Sequence, residues 1–563
     1  MNLGALQIQA IVDATKTPTP EQVRVVEAPR RPLLVVAGAG SGKTETMSMR
    51  VLWLLANHPD LTPSSILGLT FTRKAAGELG ERLRERIRLL SREMPQLRER
   101  LDEDPVALTY NSFAQRIVSE HGMRIGIDPD FSMLSEAGAI DLMTQIVESW
   151  PTDLDDELTP AGVVGKILHL AGEIAEHGYT VERAREVLEE FGRELEQVGR
   201  GNEMSRKAID VNSRRIAFLG PIAAYQQRKR EMGILDFSDQ LVLATRIVRE
   251  APAVRASLRE EFRAVLLDEF QDTSVIQMDL LSMLFADHAV TAVGDPNQAI
   301  YGWRGASASS LESFLDRFQT VEAEESQTLT LSTAWRNDVS ILDAANRVAA
   351  PLREVPSFQV GKQELKAQSP VLVPRGGAGP GAVDIAFTQD YDEALGAMVD
   401  FVQRVRSQPV KDGKRRSVAV LSRQRRDFPL IDDALREAGI PTEIVGLGGL
   451  LDQPAVQDVR AALELAYDVE ASPWLARLLA GIDLGAADLM ALGDWARFLA
   501  RQEGVHPHQA VLLDAVDSPP KPGWAAEGHP AISEEAVRRV RLLGERLRQV
   551  REGVGRSITE QVE

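Results

Sequence analysis

Leu33-Leu34-Val35-Val36-Ala37-Gly38-Ala39-Gly40-Ser41-Gly42-Lys43-Thr44 decides the fold. The uninterrupted apolar run suits a strand buried on both faces, and the glycine-rich turn opens directly into a helix expected over residues 44–56. Small residues from Ala37 to Gly42 let backbone N–H groups curl around phosphates, and the helix N-terminus adds a positive field. In such a loop Lys43 contacts the β- and γ-phosphates of ATP, and the Thr44 hydroxyl is a ligand for Mg²⁺. Ala37 stands where the general pattern has Gly, a departure small enough to leave the cradle intact. A glycine-rich turn without a ligand is the alternative. The order strand, loop, Gly-Lys-Thr, helix weighs against it.

Working outward, apolar strands are expected at residues 66–71, 106–109, 264–267 and 289–293, with a long charged helix beginning near Lys74. Strands alternating with helices give an α/β class with a parallel sheet covered by helices. Residues 114–227 read as helical and poor in strands, an insertion within the first α/β domain. A Pro- and Gly-rich break follows at residues 351–380, and a second α/β region has strands expected at 383–387, 417–421 and 443–445. From about residue 454 the pattern is again helical.

A chain of 563 residues is too long for one compact domain and suggests roughly three or four. No apolar run approaches the ~20 residues that span a bilayer, so no membrane partner is expected. The first ten residues lack the pattern of a signal peptide, and the absence of cysteine excludes disulfides and thiolate metal sites. Both fit a cytoplasmic location. The net charge of −19 argues against a passive nucleic-acid coat but not against a motor gripping one strand in a local groove. Between Lys411 and Arg426 seven basic residues face one acid, which reads equally as a contact patch or a solvated loop.

Two further segments carry chemistry. Val265-Leu266-Leu267-Asp268-Glu269 is an apolar strand ending in two carboxylates: Asp268 suits Mg²⁺ through water, and Glu269 suits orienting or deprotonating the attacking water. Gly294-Asp295-Pro296-Asn297-Gln298-Ala299-Ile300-Tyr301-Gly302-Trp303-Arg304-Gly305 sets an amide, Gln298, shortly before two aromatics and an arginine. An amide can sense a phosphate, and flat rings with a cation suit bases and a charged backbone.

Together with Asp268-Glu269-Phe270-Gln271-Asp272-Thr273 and Thr70-Phe71-Thr72-Arg73-Lys74-Ala75-Ala76, this loop resembles the UvrD/Rep/PcrA group of superfamily 1 DNA helicases. RecB-type and actinobacterial AdnB-type helicase–nuclease subunits share that core. The resemblance implies P-loop (RecA-like) parallel-sheet motor domains with helical insertion domains. The expected segments are residues 1–113 and 228–330 for the first motor domain and 114–227 for its insertion. An incomplete second motor domain at 331–450 and an incomplete second insertion at 451–563 follow.

The resemblance assigns roles residue by residue. Pro18-Thr19-Pro20-Glu21-Gln22 is similar to the group's adenine-reading segment, where Gln22 offers both a donor and an acceptor. In Leu331-Ser332-Thr333-Ala334-Trp335-Arg336-Asn337, Trp335 stands where the group usually has Tyr stacked on adenine, and Arg336 reaches the γ-phosphate. Lys43, Glu269, Gln298 and Arg336 are the expected catalytic set, with ATP held by Gln22, Ala37, Gly38, Ala39, Gly40, Ser41, Gly42, Lys43, Thr44, Trp335 and Arg336. Thr44 and Asp268 are the expected Mg²⁺ residues. Thr70, Phe71, Thr72, Asn111, Tyr301, Trp303 and Arg304 are the expected contacts to single-stranded DNA, with Asn111 in Thr109-Tyr110-Asn111-Ser112-Phe113 standing where the group commonly has His. Leu235-Asp236-Phe237-Ser238-Asp239 matches a further segment of the group, and a helix-capping Asp beside a core Phe explains it equally well.

The activity implied is an ATP-dependent 3′-to-5′ helicase or translocase in repair or recombination, acting on single strands and duplex junctions. A second helicase–nuclease subunit is an implied partner. The group's Thr-x-His-x-x-Lys-Gly-Leu-Glu and terminal Thr-Arg-Ala segments are missing after Leu450, so residues 1–563 are expected to bind ATP–Mg²⁺ and to hydrolyse it weakly alone. A non-catalytic DNA-binding subunit is the competing reading; it calls for loss of Lys43, Glu269, Gln298 or Arg336, and all four are present. A P-loop ATPase acting on protein or RNA is disfavoured by Phe71, Tyr301 and Trp303 in these contexts.

Overall fold

The structure, a computed structural model, describes residues 3–128, 131–152, 154, 159–198, 203–302, 310–319, 327–353, 368–408, 416–445, 454–467, 472–502, 504 and 511–555. The chain forms two compact units, residues 1–384 and 385–563.

In the first unit, the strands β1 (Leu33–Ala37), β2 (Ile66–Thr70), β3 (Val106–Thr109), β4 (Ser132–Met133), β5 (Ile234–Leu235), β6 (Ala264–Leu267), β7 (Ala289–Gly294), β8 (Thr328–Leu331), β9 (Thr333–Ala334) and β10 (Val373–Pro374) form three sheets. The central one is six-stranded, order β3-β2-β6-β7-β1-β8, and every pairing in it is parallel. The α/β expectation from the first apolar run is met. All five β1 residues are buried because helices cover both faces. Leu34 and Val36 face α5 (Tyr110–His121), α10 (Phe237–Glu250), α12 (Val275–Phe285) and α13 (Ser310–Phe318). Leu33, Val35 and Ala37 face α3 (Lys43–Asn57) and α4 (Arg73–Glu93).

Between β3 and β6, α6 (Glu136–Glu148), α7 (Pro160–Glu176), α8 (Val181–Val198) and α9 (Glu203–Met232) build a separate helical core around Met143, Ile167, Leu219 and Ile222. Ala114, Ile117 and Val118 of α5, by contrast, stay in the sheet's core. Asp236 is the N-cap of α10: its side chain accepts from Asp239 N–H, and Lys229 of α9 bridges both carboxylates at 2.5 and 2.7 Å. The helix-capping reading of Asp236 therefore holds, but Phe237 is 55% exposed rather than a core residue.

The second unit is helical among its described residues: α15 (Tyr391–Ser407), α16 (Phe428–Glu437), α17 (Pro454–Tyr467), α18 (Ser472–Gly481), α19 (Ala486–Gln502), α20 (Leu512–Asp517) and α21 (Glu534–Glu552). The strands expected at 383–387, 417–421 and 443–445 are not formed. A strand takes its hydrogen bonds from a neighbour, and apolar alternation supplies the face without supplying the neighbour. Ile385, Phe387, Leu421 and Val445 are accordingly exposed. Of the basic run, residues 411–415 lie outside the described residues, and Arg416, Arg423, Arg425 and Arg426 are exposed.

One side chain joins three parts of the first unit. Arg50 of α3 is 1% exposed and donates to Thr291 Oγ1 of β7 at 2.9 Å. It also donates to the carbonyls of Val25, Val26, Ala28 and Pro29 behind α2 (Pro20–Val26). Burial lowers its pKa to about 10, so it stays charged at neutral pH, neutralised by carbonyl dipoles. Arg50→Met leaves those acceptors buried and unpaired and is expected to lower unfolding free energy by about 3 kcal/mol or more, read from the urea midpoint.

Candidate nucleotide and strand site

The C-terminal ends of β1, β2, β6 and β7 share one edge of the sheet because their pairing is parallel. The glycine-rich loop, the Phe71 segment, the Asp268–Glu269 pair and the Gln298 loop each follow one of these ends. The loop after β1 turns on Gly40 (φ +73°) and Gly42 (φ +82°), left-handed conformations that favour glycine, and Gly42 caps α3. Ser41 Oγ is buried there without a hydrogen-bond partner among the described residues, an atom that fits a phosphate oxygen. Lys43 reaches across to Glu269, Nζ to Oε2 at 2.9 Å.

Glu269 carries φ +49°, costly for a residue with a Cβ and typical of strained functional positions. Its neighbour Asp268 is held on three sides: its N–H donates to the Leu69 carbonyl at 2.9 Å, Oδ1 accepts Glu269 N–H at 3.0 Å, and its carbonyl accepts the Tyr110 hydroxyl at 3.0 Å. Burial, then the charge of Glu269, pushes the Asp268 carboxyl up to about 6. The same causes, in the same order, push Asp272 up to about 6. Thr44 opens α3 beside Lys43, so Thr44 and Asp268 offer the hard oxygen donors that Mg²⁺ takes.

A hydrogen-bonded line leads away from Glu269. Gln271 Nε2 donates to Glu269 Oε2 at 2.9 Å, and Gln271 Oε1 accepts Asp295 N–H at 3.1 Å. The Asp295 carboxylate accepts Gln298 Nε2 at 2.6 Å and the buried Ser369 hydroxyl at 2.7 Å. Three residues beyond Gln298, Tyr301 packs on Phe71, which follows β2, with ring centroids 4.7 Å apart. The expected Phe71 and Tyr301 are thus brought together, while Trp303 and Arg304 lie outside the described residues.

The structure places the other expected strand contacts differently. Thr70 is 1% exposed, and its hydroxyl is buried without a hydrogen-bond partner among the described residues, so it is not presented at the surface. The exposed Thr72 is the N-cap of α4: its hydroxyl oxygen accepts Ala75 N–H at 3.1 Å, which leaves the O–H free to donate. Asn111 Oδ1 accepts Gln277 Nε2 at 3.2 Å, and Asn111 lines a 480 Å³ cavity with Phe71, Arg73, His169, Glu173 and Phe237. The cavity lies between the sheet edge and α7.

On the other side of the phosphate loop, the segment around β9 closes the site. Trp335 N–H donates to Gly40 carbonyl at 2.8 Å, and Gly38 N–H donates to Leu331 carbonyl at 3.1 Å. Glu21 of α2 accepts both the backbone N–H and the hydroxyl of Ser332, at 2.7 and 2.8 Å. A Cβ on Gly40 would lie 3.1 Å from Arg336 Cβ, so Arg336 stands against the loop and is exposed. Trp335 lines a 270 Å³ pocket with Gln22.

Sequence reasoning assigned no role to Tyr110, Gln271, Asp295, Ser369 or Glu21. All but Ser369 sit inside quoted motifs, whose spacing signals the segment but not each hydrogen bond. Ser369 and Glu21 act through contacts that only the folded chain creates.

The description "UvrD/REP helicase N-terminal domain" belongs to a family model matching residues 18–319. DNA helicase II of Escherichia coli (strain K12) is 28% identical over 447 residues, 79% of this chain and 54% of that protein. ATP-dependent DNA helicase PcrA of Staphylococcus aureus (strain Mu50) is 24% identical over 449 residues, 79% of this chain and 53% of that protein. The chain spans about half the length of the curated relatives it matches.

A buried carboxyl raised to about 6 from an ordinary 3.8 favours the protonated form in the folded chain, so it stabilises below pH ~4 and loses that contribution as pH rises through 6. Asp268→Asn is therefore expected to raise unfolding free energy at pH 7.5 by up to about 3 kcal/mol, and the gain should vanish near pH 4, as followed by thermal melts across pH.

Proposed function

From the premise that the chain belongs to the UvrD/REP helicase family, we propose that it is an ATP-dependent DNA translocase and helicase. Its direction is 3′ to 5′, and its setting is cytoplasmic DNA repair or recombination. The observation that carries this reading is the unbroken line Lys43–Glu269–Gln271–Asp295–Gln298, which runs from the phosphate loop towards the Phe71–Tyr301 ring pair. A nucleotide site wired to a base-stacking site is what converting hydrolysis into movement requires.

In the free protein Lys43 is neutralised by Glu269. A bound triphosphate offers Lys43 a stronger anion, and Glu269, released, turns its carboxylate to the water aligned on the γ-phosphate. Thr44 and Asp268 are the residues that would hold Mg²⁺, which would supply positive charge to offset the phosphates. Gln271 loses one of its partners when Glu269 moves, and through Asp295 that change reaches Gln298 and the loop bearing Tyr301. Arg336, standing against Gly40, adds positive charge at the γ-phosphate. Phe71 and Tyr301 stack bases with little regard for sequence, suiting a single strand or the strand side of a duplex junction. Residues 331–450 and 451–563 act as parts of a second motor domain and insertion, and a helicase–nuclease subunit is a fitting partner.

Glu269→Gln should leave equilibrium ATP binding intact and lower single-strand-stimulated ATP hydrolysis by at least a hundredfold; surviving turnover would remove Glu269 from its role. Phe71→Ala should weaken oligothymidylate binding by about tenfold or more in fluorescence anisotropy, from ~1–3 kcal/mol per stacked base, without changing ATP affinity.

A further inference from the structure

Beside the phosphate loop, the 270 Å³ pocket is walled by Gln22, Glu45, Met49 and Trp335, with Gln9 and Lys16 at its margin. Gln22 is already engaged on both ends of its amide. Its Oε1 accepts Thr19 N–H at 3.0 Å, and its Nε2 donates to Thr46 Oγ1 at 3.2 Å. That leaves one N–H and one lone pair for a ligand.

Glu45 is the unexpected wall. A carboxylate in the first turn of α3, two residues after Lys43, repels a triphosphate unless its charge is met. Arg86 of α4 meets it: Nη2 lies 2.5 Å from Glu45 Oε2, with the Arg86 side chain 11% exposed. The other oxygen, Glu45 Oε1, is buried and has no hydrogen-bond partner among the described residues, and neither has Arg86 Nη1 of the guanidinium beside it. A buried acceptor without a donor costs ~1–3 kcal/mol, which a ligand donor reaching Glu45 Oε1 would recover.

We infer that Glu45, fixed by Arg86, is a specificity-determining residue that accepts a hydrogen bond from the exocyclic amino group of the base and so selects a 6-aminopurine nucleotide. The inference rests on the reading of this site as one for a nucleoside triphosphate. With the ring against Trp335, one amino hydrogen goes to the spare lone pair of Gln22 Oε1 and the other to Glu45 Oε1. A 6-oxopurine sets an oxygen against the carboxylate and is repelled. A purine with neither group leaves the acceptor unpaired.

The test is equilibrium competition against a fluorescent ATP analogue, using ATP, ITP and purine riboside triphosphate. The unaltered protein should prefer ATP over purine riboside triphosphate by about tenfold or more. Glu45→Ala should weaken ATP by about tenfold and leave purine riboside triphosphate unchanged, bringing the ratio near one. Glu45→Gln keeps an acceptor but adds an N–H donor, so it should raise ITP relative to ATP; this variant decides the matter if the alanine form does not fold. Equal weakening of all three nucleotides, or a preference untouched by either substitution, overturns the inference while the nucleotide site stands. Binding of none of the three by the unaltered protein overturns the nucleotide reading itself.

Discussion

Parallel pairing is the constraint on which the rest of the first unit depends. Because β1, β2, β6 and β7 run the same way, their C-terminal ends open on one edge, and segments far apart in sequence become neighbours. Lys43 meets Glu269 across 226 residues for this reason. Antiparallel pairing of any one strand would send its motif to the opposite edge. The apolar strands that make this pairing possible are buried on both faces, so the chemistry of the edge and the stability of the core come from the same residues' order in sequence.

The edge itself is kept under electrostatic and conformational load. Asp268 and Asp272 are both raised by burial beside Glu269, and Glu269 holds a left-handed backbone. Lys43 offsets part of that load in the free protein. A ligand that draws Lys43 away leaves the carboxylates less compensated, which is a physical route from phosphate binding to rearrangement of Gln271 and Asp295. Arg50 works differently: its hydrogen bonds to the backbone at the end of α2 and to Thr291 fix α2, α3 and β7 as one body. The edge can then move against a rigid frame.

Much of this was legible in the chain. Leu33 to Thr44 specifies strand, loop and helix because each residue type has a local reason to be there: apolar for burial, glycine for positive φ, lysine for phosphate. Phe71 and Tyr301 could be paired through motif resemblance, though 230 residues separate them, and the structure puts their rings in contact. Arg50 was not legible, since an arginine in an apolar helix reads as a surface residue until its carbonyl partners are folded around it. Thr70 and Thr72 read alike as hydroxyls for phosphate oxygens, yet the fold buries the first and sets the second, still exposed, at the N-terminus of α4. The edge strand β8 gave only a Thr-Leu-Thr-Leu alternation, which becomes a strand because β1 lies beside it. The segments at 417–421 and 443–445 have similar apolar content without such a neighbour.

The central claim is that nucleotide occupancy is felt at the Phe71–Tyr301 pair through Gln271, Asp295 and Gln298. Its most direct test is the affinity for oligothymidylate with and without a non-hydrolysable ATP analogue, in the unaltered protein and in Gln298→Ala. The account predicts a nucleotide-dependent change in strand affinity of about fivefold or more, a coupling free energy of ~1 kcal/mol or above, that collapses in the variant while each ligand alone binds normally. The same coupling in both proteins would contradict it.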